Sequence, residues 1–78
     1  MRSTFEIIAE ILRVAKNGAK KTRIMHACGL SYRFVGKYLT LLLEIGLLRI
    51  GNSYHTTEKG FLFLQNYQTM ELLLNTRN

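Results

Sequence analysis

Acidic residues are scarce in this 78-residue chain and missing from its middle. There are five, Glu6, Glu10, Glu44, Glu58 and Glu71, and none lies between Ile11 and Leu43. Such a shortage leaves little for carboxylate-based acid–base chemistry. Cysteine occurs once, at Cys28, so no internal disulfide can form, which suits a reducing compartment and a cytoplasmic location. His26 and His55 sit in separate segments, and with a single cysteine they do not make a metal site of the usual spacing. No apolar run approaches the ~18 residues of a membrane span. The start of the chain leads into an amphipathic pattern without the form of a secretory leader. No glycine-rich phosphate loop of the form GxxxxGK[ST] is present. The expectation is a cytoplasmic protein that is not an enzyme, with no cofactor, metal, membrane or small-molecule ligand in view.

What is plentiful is positive charge. The net charge is +6, and 47% of the residues are hydrophobic, which is ordinary globular material. Between Ile11 and Leu43 lie seven basic residues: Arg13, Lys16, Lys20, Lys21, Arg23, Arg33 and Lys37. A positive field concentrated in one segment attracts a polyanion and speeds encounter with it. The plainer alternative is a solvated basic face that binds nothing.

That segment also carries the most readable local structure. Lys20 to Gly46 reads as two helices joined by the tight turn Ala27-Cys28-Gly29-Leu30-Ser31. Gly29 can adopt the left-handed conformation that ends a helix, because it has no Cβ to clash. Ser31 can cap the next helix. The first of these helices begins somewhere in Ala19 to Thr22, with Ile24, Ala27 and Cys28 facing inward. On the second, residues 31–45, the spacing places Val35, Tyr38, Leu39, Leu42 and Ile45 on one face. Arg33, Lys37 and Thr40 then point the other way. This is a helix-turn-helix, whose second helix is the candidate for a DNA major groove.

Around it, Ser3-Thr4-Phe5-Glu6 has the form of a capping box, predicting a helix from Thr4 to Lys16 that stops at Asn17-Gly18. Phe5, Ile8, Leu12 and Ala15 form its expected core stripe, with Ile7, Ile11 and Val14 as apolar surplus. Leu47–Ile50 reads as a short strand, Gly51-Asn52-Ser53 as a turn and Tyr54–Thr56 as the returning strand. Strands directly after a helix-turn-helix make a wing. Thr57 can cap a last helix from Glu58 to about Asn75, uninterrupted because the chain has no proline. It carries two apolar faces: Phe61, Leu64 and Leu72 on one, and Phe63, Tyr67, Met70 and Leu74 on the other. The second face has the spacing of a coiled-coil seam. The fold class expected is mainly α with a small β-hairpin, a winged helix-turn-helix in the order α-α-α-β-β-α. Residues 1–57 would form the DNA-binding part. Residues 58–78 would form a dimerisation helix packed on the same domain and pairing with a second copy through Phe63, Tyr67, Met70 and Leu74; alternatively, both faces are core.

In this order the segments resemble the small archaeal winged-helix DNA-binding proteins of about ten kilodaltons and their related transcriptional regulators. The matching pieces are Lys21-Thr22-Arg23-Ile24-Met25, Leu30-Ser31-Tyr32, Tyr38-Leu39 with Leu42, Gly46-Leu47-Leu48, and Thr57-Glu58-Lys59-Gly60 followed by Phe63-Leu64 and Tyr67. The resemblance implies a DNA-binding fold dimerised through a C-terminal helix in a two-stranded antiparallel coiled coil. It also implies a chromatin-associated or regulatory role in an archaeon. This chain departs from the pattern in its short final helix and in Ala19-Lys20, where relatives often carry Ser or Pro.

Individual residues are weighed as follows. Arg33 either bonds both acceptors of a guanine edge or contacts a phosphate. Lys37 is assigned to a phosphate; Thr40 meets a thymine methyl, a phosphate or water. Ser31 and Tyr32, at a helix N-terminus, are candidates for a phosphate, with Tyr32 alternatively packing on the turn. Lys20, Lys21 and Arg23 would position the flanking backbone, and Asn52, Ser53 and Arg49 would do so from the wing. Cys28 is read as a small buried hydrophobe. His55 is a surface histidine that either meets a phosphate, senses pH or does neither. The functional expectation is a dimeric double-stranded DNA binder, either a repressor-like regulator or a low-specificity nucleoid protein. A protein-interaction winged helix that does not bind DNA is the alternative of another class.

Overall fold

The computed structural model describes residues 2–75. Residues 76–78, the end of the segment assigned to dimerisation, lie outside the described residues, as does Met1. The elements are α1 (Thr4–Val14), α2 (Lys21–Cys28), α3 (Tyr32–Glu44), β1 (Leu48–Ile50), β2 (Tyr54–Thr56) and α4 (Glu58–Asn75). This is a winged helix with a long last helix.

Local chemistry sets most of the boundaries. Ser3 forms the full capping box, its side chain accepting from Glu6 N while the Glu6 side chain accepts from Ser3 N. Ser31 Oγ accepts from Phe34 N at 3.1 Å and starts α3. Between them Gly29, at φ 63° and ψ 36°, ends α2 in the left-handed region. Thr57 Oγ1 accepts from Gly60 N at 3.1 Å and donates to the Gly46 carbonyl at 2.6 Å. One side chain thus starts α4 and ties it to the end of α3.

The wing is an antiparallel hairpin pairing Leu48 with Thr56, Arg49 with His55 and Ile50 with Tyr54. It has a third partner that the sequence pattern does not reveal. Ala19 and Tyr54 exchange both backbone hydrogen bonds, at 2.9 and 2.8 Å, so the stretch before α2 is stitched to β2. A single-residue bridge carries no alternation to be seen in advance. Thr56 fixes the hairpin to α1: its Oγ1 donates to the Leu12 carbonyl at 2.6 Å and its N–H to the Ala15 carbonyl at 3.1 Å. Those carbonyls belong to the end of α1, where intrahelical donors run out.

The core gathers Ile8, Ala9, Ile11, Leu12, Ala15, Ala19, Ile24, Cys28, Val35, Leu39, Leu42, Leu47, Leu48 and Leu64. Several expected placements are corrected. Phe5 is 61% exposed, while Ile11, expected to be surplus, is fully buried. The reason is that α1 is covered by α2, β2 and α4, so its buried arc is wider and rotated from the expected stripe. Helix α1 also ends at Val14, with Ala15 as its cap, rather than at Lys16. Ala27 is exposed, not inward, because the inward side of α2 is formed by Ile24 and Cys28, with Met25 packed beside them. Ile45 is exposed as the cap residue just past α3. On α4 the inward stripe is Gly60, Phe63, Leu64 and Tyr67, drawn from both expected faces, and Phe61 and Leu72 are exposed. Gly60 is required by contact: a Cβ there would collide with the Leu47 carbonyl oxygen and the Thr56 methyl. From Gln68 to Asn75 every residue is exposed.

Candidate nucleic-acid interface

Helix α3 has two unlike sides. Val35, Leu39 and Leu42 are buried, while Arg33, Lys37 and Thr40 are all exposed on the opposite side. The spacing of three and four residues lines these last three up along the helix. The buried ridge packs on the domain and fixes the angle at which the polar side is presented. At the other end, the Lys59 ammonium donates to the Ile45 carbonyl at 2.7 Å, supplying positive charge where the helix dipole is negative.

Several of the sequence-selected residues border two depressions. Lys21, Gly36, Lys37 and Thr40 border one notch between α2 and α3, closed by Glu44 and by Tyr54 of the wing. Lys20, Arg23 and Ser53 border a second depression, where the start of α2 meets the wing. The Ala19–Tyr54 bridge brings these segments together. Arg33, Arg49 and Asn52 are exposed but line neither depression. Ser31 spends its hydroxyl as the cap of α3.

Tyr32 is 69% exposed and stands beneath a cation: the Lys21 ammonium lies 3.8 Å from its ring centre. An ammonium over an aromatic face is held by the ring quadrupole without losing its charge. Among the described residues the ion pairs, Arg2 with Glu10 and Arg13 with Glu71, involve none of the cations on this surface. Two residues on or beside this surface escaped the sequence reading. Gly36 borders the notch, and Phe34 is exposed beside Arg33. A glycine inside an expected helix was the available signal for the first; an aromatic off the apolar phase was the signal for the second.

A second, apolar surface lies elsewhere. Phe5, Phe63, Tyr67, Met70 and Leu74 line a groove between α1 and α4, together with Glu6 and Glu71. Phe5 and Phe63 are 6.4 Å apart between ring centres, and Phe63 stacks on Tyr67 at 6.3 Å. Phe63 and Tyr67 are half-buried, whereas Met70 and Leu74 are 55% and 80% exposed. Burial, followed by the Glu71 and Glu6 charges, pushes the Tyr67 phenol up. Burial likewise pushes the Cys28 thiol up. Among the described residues no three His, Cys, Asp or Glu side chains come together as metal ligands, and no helix is long and apolar enough to cross a membrane.

Comparison with known proteins agrees with this geometry. The pattern of the winged helix-turn-helix family matches residues 1–75. The chain is similar to the uncharacterised protein MJ0287 of Methanocaldococcus jannaschii, with 37% identity over 75 residues, 92% of this chain and 77% of that protein. It is also similar to the crystal structure of Sso10a-2, a DNA-binding protein from Sulfolobus solfataricus. That match has a TM-score of 0.81 and 31% identity, over 95% of this chain and 84% of the other. Both relatives are archaeal, and the chain itself belongs to the winged helix-turn-helix family.

Proposed function

We propose that this chain is a double-stranded DNA-binding protein that acts as a homodimer, a repressor-like transcriptional regulator that inserts α3 into the major groove. The observation that carries this reading is the two-sided α3, with Arg33, Lys37 and Thr40 exposed opposite a fully packed ridge. The DNA-binding character of Sso10a-2, similar over 95% of this chain, supports it. In this reading Arg33 reads a base edge, and Lys37, Lys21, Lys20 and Arg23 hold phosphates. Tyr32 and Ser31 border the backbone, and Thr40 lies along the groove floor. Arg49, Asn52 and Ser53 follow the flanking backbone from the wing. The protein would work in the cytoplasm, on the nucleoid.

Residues 1–57 carry the DNA-facing surface, and the helix that follows serves pairing while contributing Gly60 and Leu64 to the same core. A second copy would cover Met70 and Leu74 and extend the apolar groove, with Phe63 and Tyr67 at its floor. A two-fold pair presents two α3 helices to one duplex, which raises affinity by making the second contact intramolecular.

One observation favours a second form of the same activity, that of a general nucleoid protein: the cations outnumber the groups suited to reading bases, and the tip Gly51-Asn52-Ser53 offers no cation to the minor groove. Competition between selected and random duplexes across a salt series separates the two. A regulator shows a specificity ratio of ~10³ or more, and a coating protein shows a ratio near one.

A further inference from the structure

The chain has two glycines inside helices where contact can be judged, and they differ. At Gly60 a Cβ would strike backbone, so packing alone demands glycine. At Gly36 a Cβ would meet only the end of the Lys21 side chain, 3.4 Å from Nζ and 4.0 Å from Cε. That is ordinary contact with a movable group. An alanine would fit, and it would favour the helix, since glycine is among the poorest helix formers. Among the described residues no contact therefore calls for a glycine in the middle of α3.

Its surroundings do offer a reason. Gly36 borders the notch with Lys37 on its own helix and Lys21 from α2. The Tyr32 ring holds the Lys21 ammonium from one side, 3.8 Å away, and among the described residues neither lysine is in an ion pair. Both lysines border the notch, and the Lys21 ammonium lies over the Gly36 position itself. Glu44 borders the same notch. It lies eight residues further along α3, roughly 12 Å at 1.5 Å per residue, so the positive character is strongest near Gly36.

We propose that this glycine-floored notch seats one phosphate of the DNA backbone between Lys21 and Lys37, and that residue 36 is glycine so that the phosphate can approach the surface of α3. The inference rests on the DNA-binding reading and deepens it: Lys21 moves from a general flanking contact to a defined one. Lysine suits this role as a compact point charge with no need of the planar fit an arginine makes. Tyr32 acts as a positioning residue, keeping the flexible Lys21 stem aimed at the notch.

The test is titration of a random-sequence duplex across a salt series with the wild type, Gly36→Ala, Gly36→Leu, Lys21→Met and the Gly36→Leu/Lys21→Met pair. Thermal melting is followed in parallel. The Gly36 variants should melt no lower than the wild type. Gly36→Leu and Lys21→Met should each bind about tenfold more weakly and lower the salt slope by about one, the signature of one lost phosphate contact. Gly36→Ala should weaken binding less than Gly36→Leu. The double variant should be no more than about twofold weaker than Lys21→Met, because both changes empty the same seat. Binding by Gly36→Leu at wild-type strength and slope overturns the seat while leaving the DNA reading intact, as does weaker binding with an unchanged slope. A wild type that binds no duplex at low salt overturns the DNA reading, and the seat with it.

Discussion

Thr56 Oγ1 donates a 2.6 Å hydrogen bond to the carbonyl oxygen of Leu12, across 44 residues of chain and inside the core. This bond clamps the wing to the end of α1 and so fixes the hairpin that flanks α3. Thr56→Val keeps the shape but removes the donor. The loss should be about 1–3 kcal/mol, because a buried acceptor is left without its partner. Chemical denaturation measures it, and duplex affinity of the folded variant should stay near that of the wild type.

Arg33 and Lys37 should fail differently. Arg33→Ala should relax preference at one base position by roughly 1–3 kcal/mol. Lys37→Ala should weaken all duplexes alike and lower the salt slope by about one. Selection from a random duplex pool distinguishes these outcomes. Equal selectivity in the wild type and Arg33→Ala would move the guanidinium to a phosphate.

The pairing surface has an independent check. Met70→Lys with Leu74→Lys places charge on residues already 55% and 80% exposed, so the fold should survive. Sedimentation should show a dimer for the wild type and a monomer for the double variant. The variant should bind DNA at least about tenfold more weakly through loss of linked half-sites. A wild type that sediments as a monomer at about 50 μM, well above the micromolar range of a standard-sized interface, would remove the dimer from the account.

The capping box at Ser3 predicts a pH effect. Hydrogen bonds from the Ser3 backbone and side chain hold the Glu6 carboxyl below its ordinary value of 4.5. A folded-state pKa below the unfolded one adds stability above the unfolded value, and that stability disappears as pH falls through the folded value. Glu6→Gln removes the titrating carboxyl and should therefore reduce the fall in stability between about pH 4.5 and the lower folded pKa. A pH series of urea midpoints would show it. Wild-type slope in the variant would place the titration elsewhere.

The elements readable in advance were those fixed by neighbouring residues. Ser3 with Glu6, Gly29 before Ser31, and Thr57 act within a few residues, so their patterns survive in the sequence. The exposed line of Arg33, Lys37 and Thr40 was legible for the same reason, since it depends only on helical spacing. Placement within α1 was not. Apolar residues occupy most of its circumference, and only the positions of α2, β2 and α4 decide that Ile11 enters the core while Phe5 stays out. The seam on α4 was split likewise, with Phe63 and Tyr67 drawn against α1 and Met70 left exposed. The Ala19–Tyr54 bridge and the Lys21–Tyr32 contact join segments distant in sequence and leave no local trace.

The most direct measurement is duplex binding at moderate salt by the wild type and by Arg33→Ala/Lys37→Ala, with circular dichroism and melting confirming that both are folded. Both side chains are exposed, so the double variant should keep its fold while its affinity drops by about a hundredfold and its salt dependence becomes shallower. Equal affinity and equal salt dependence for the two proteins would contradict the assignment of α3 as the surface that meets DNA.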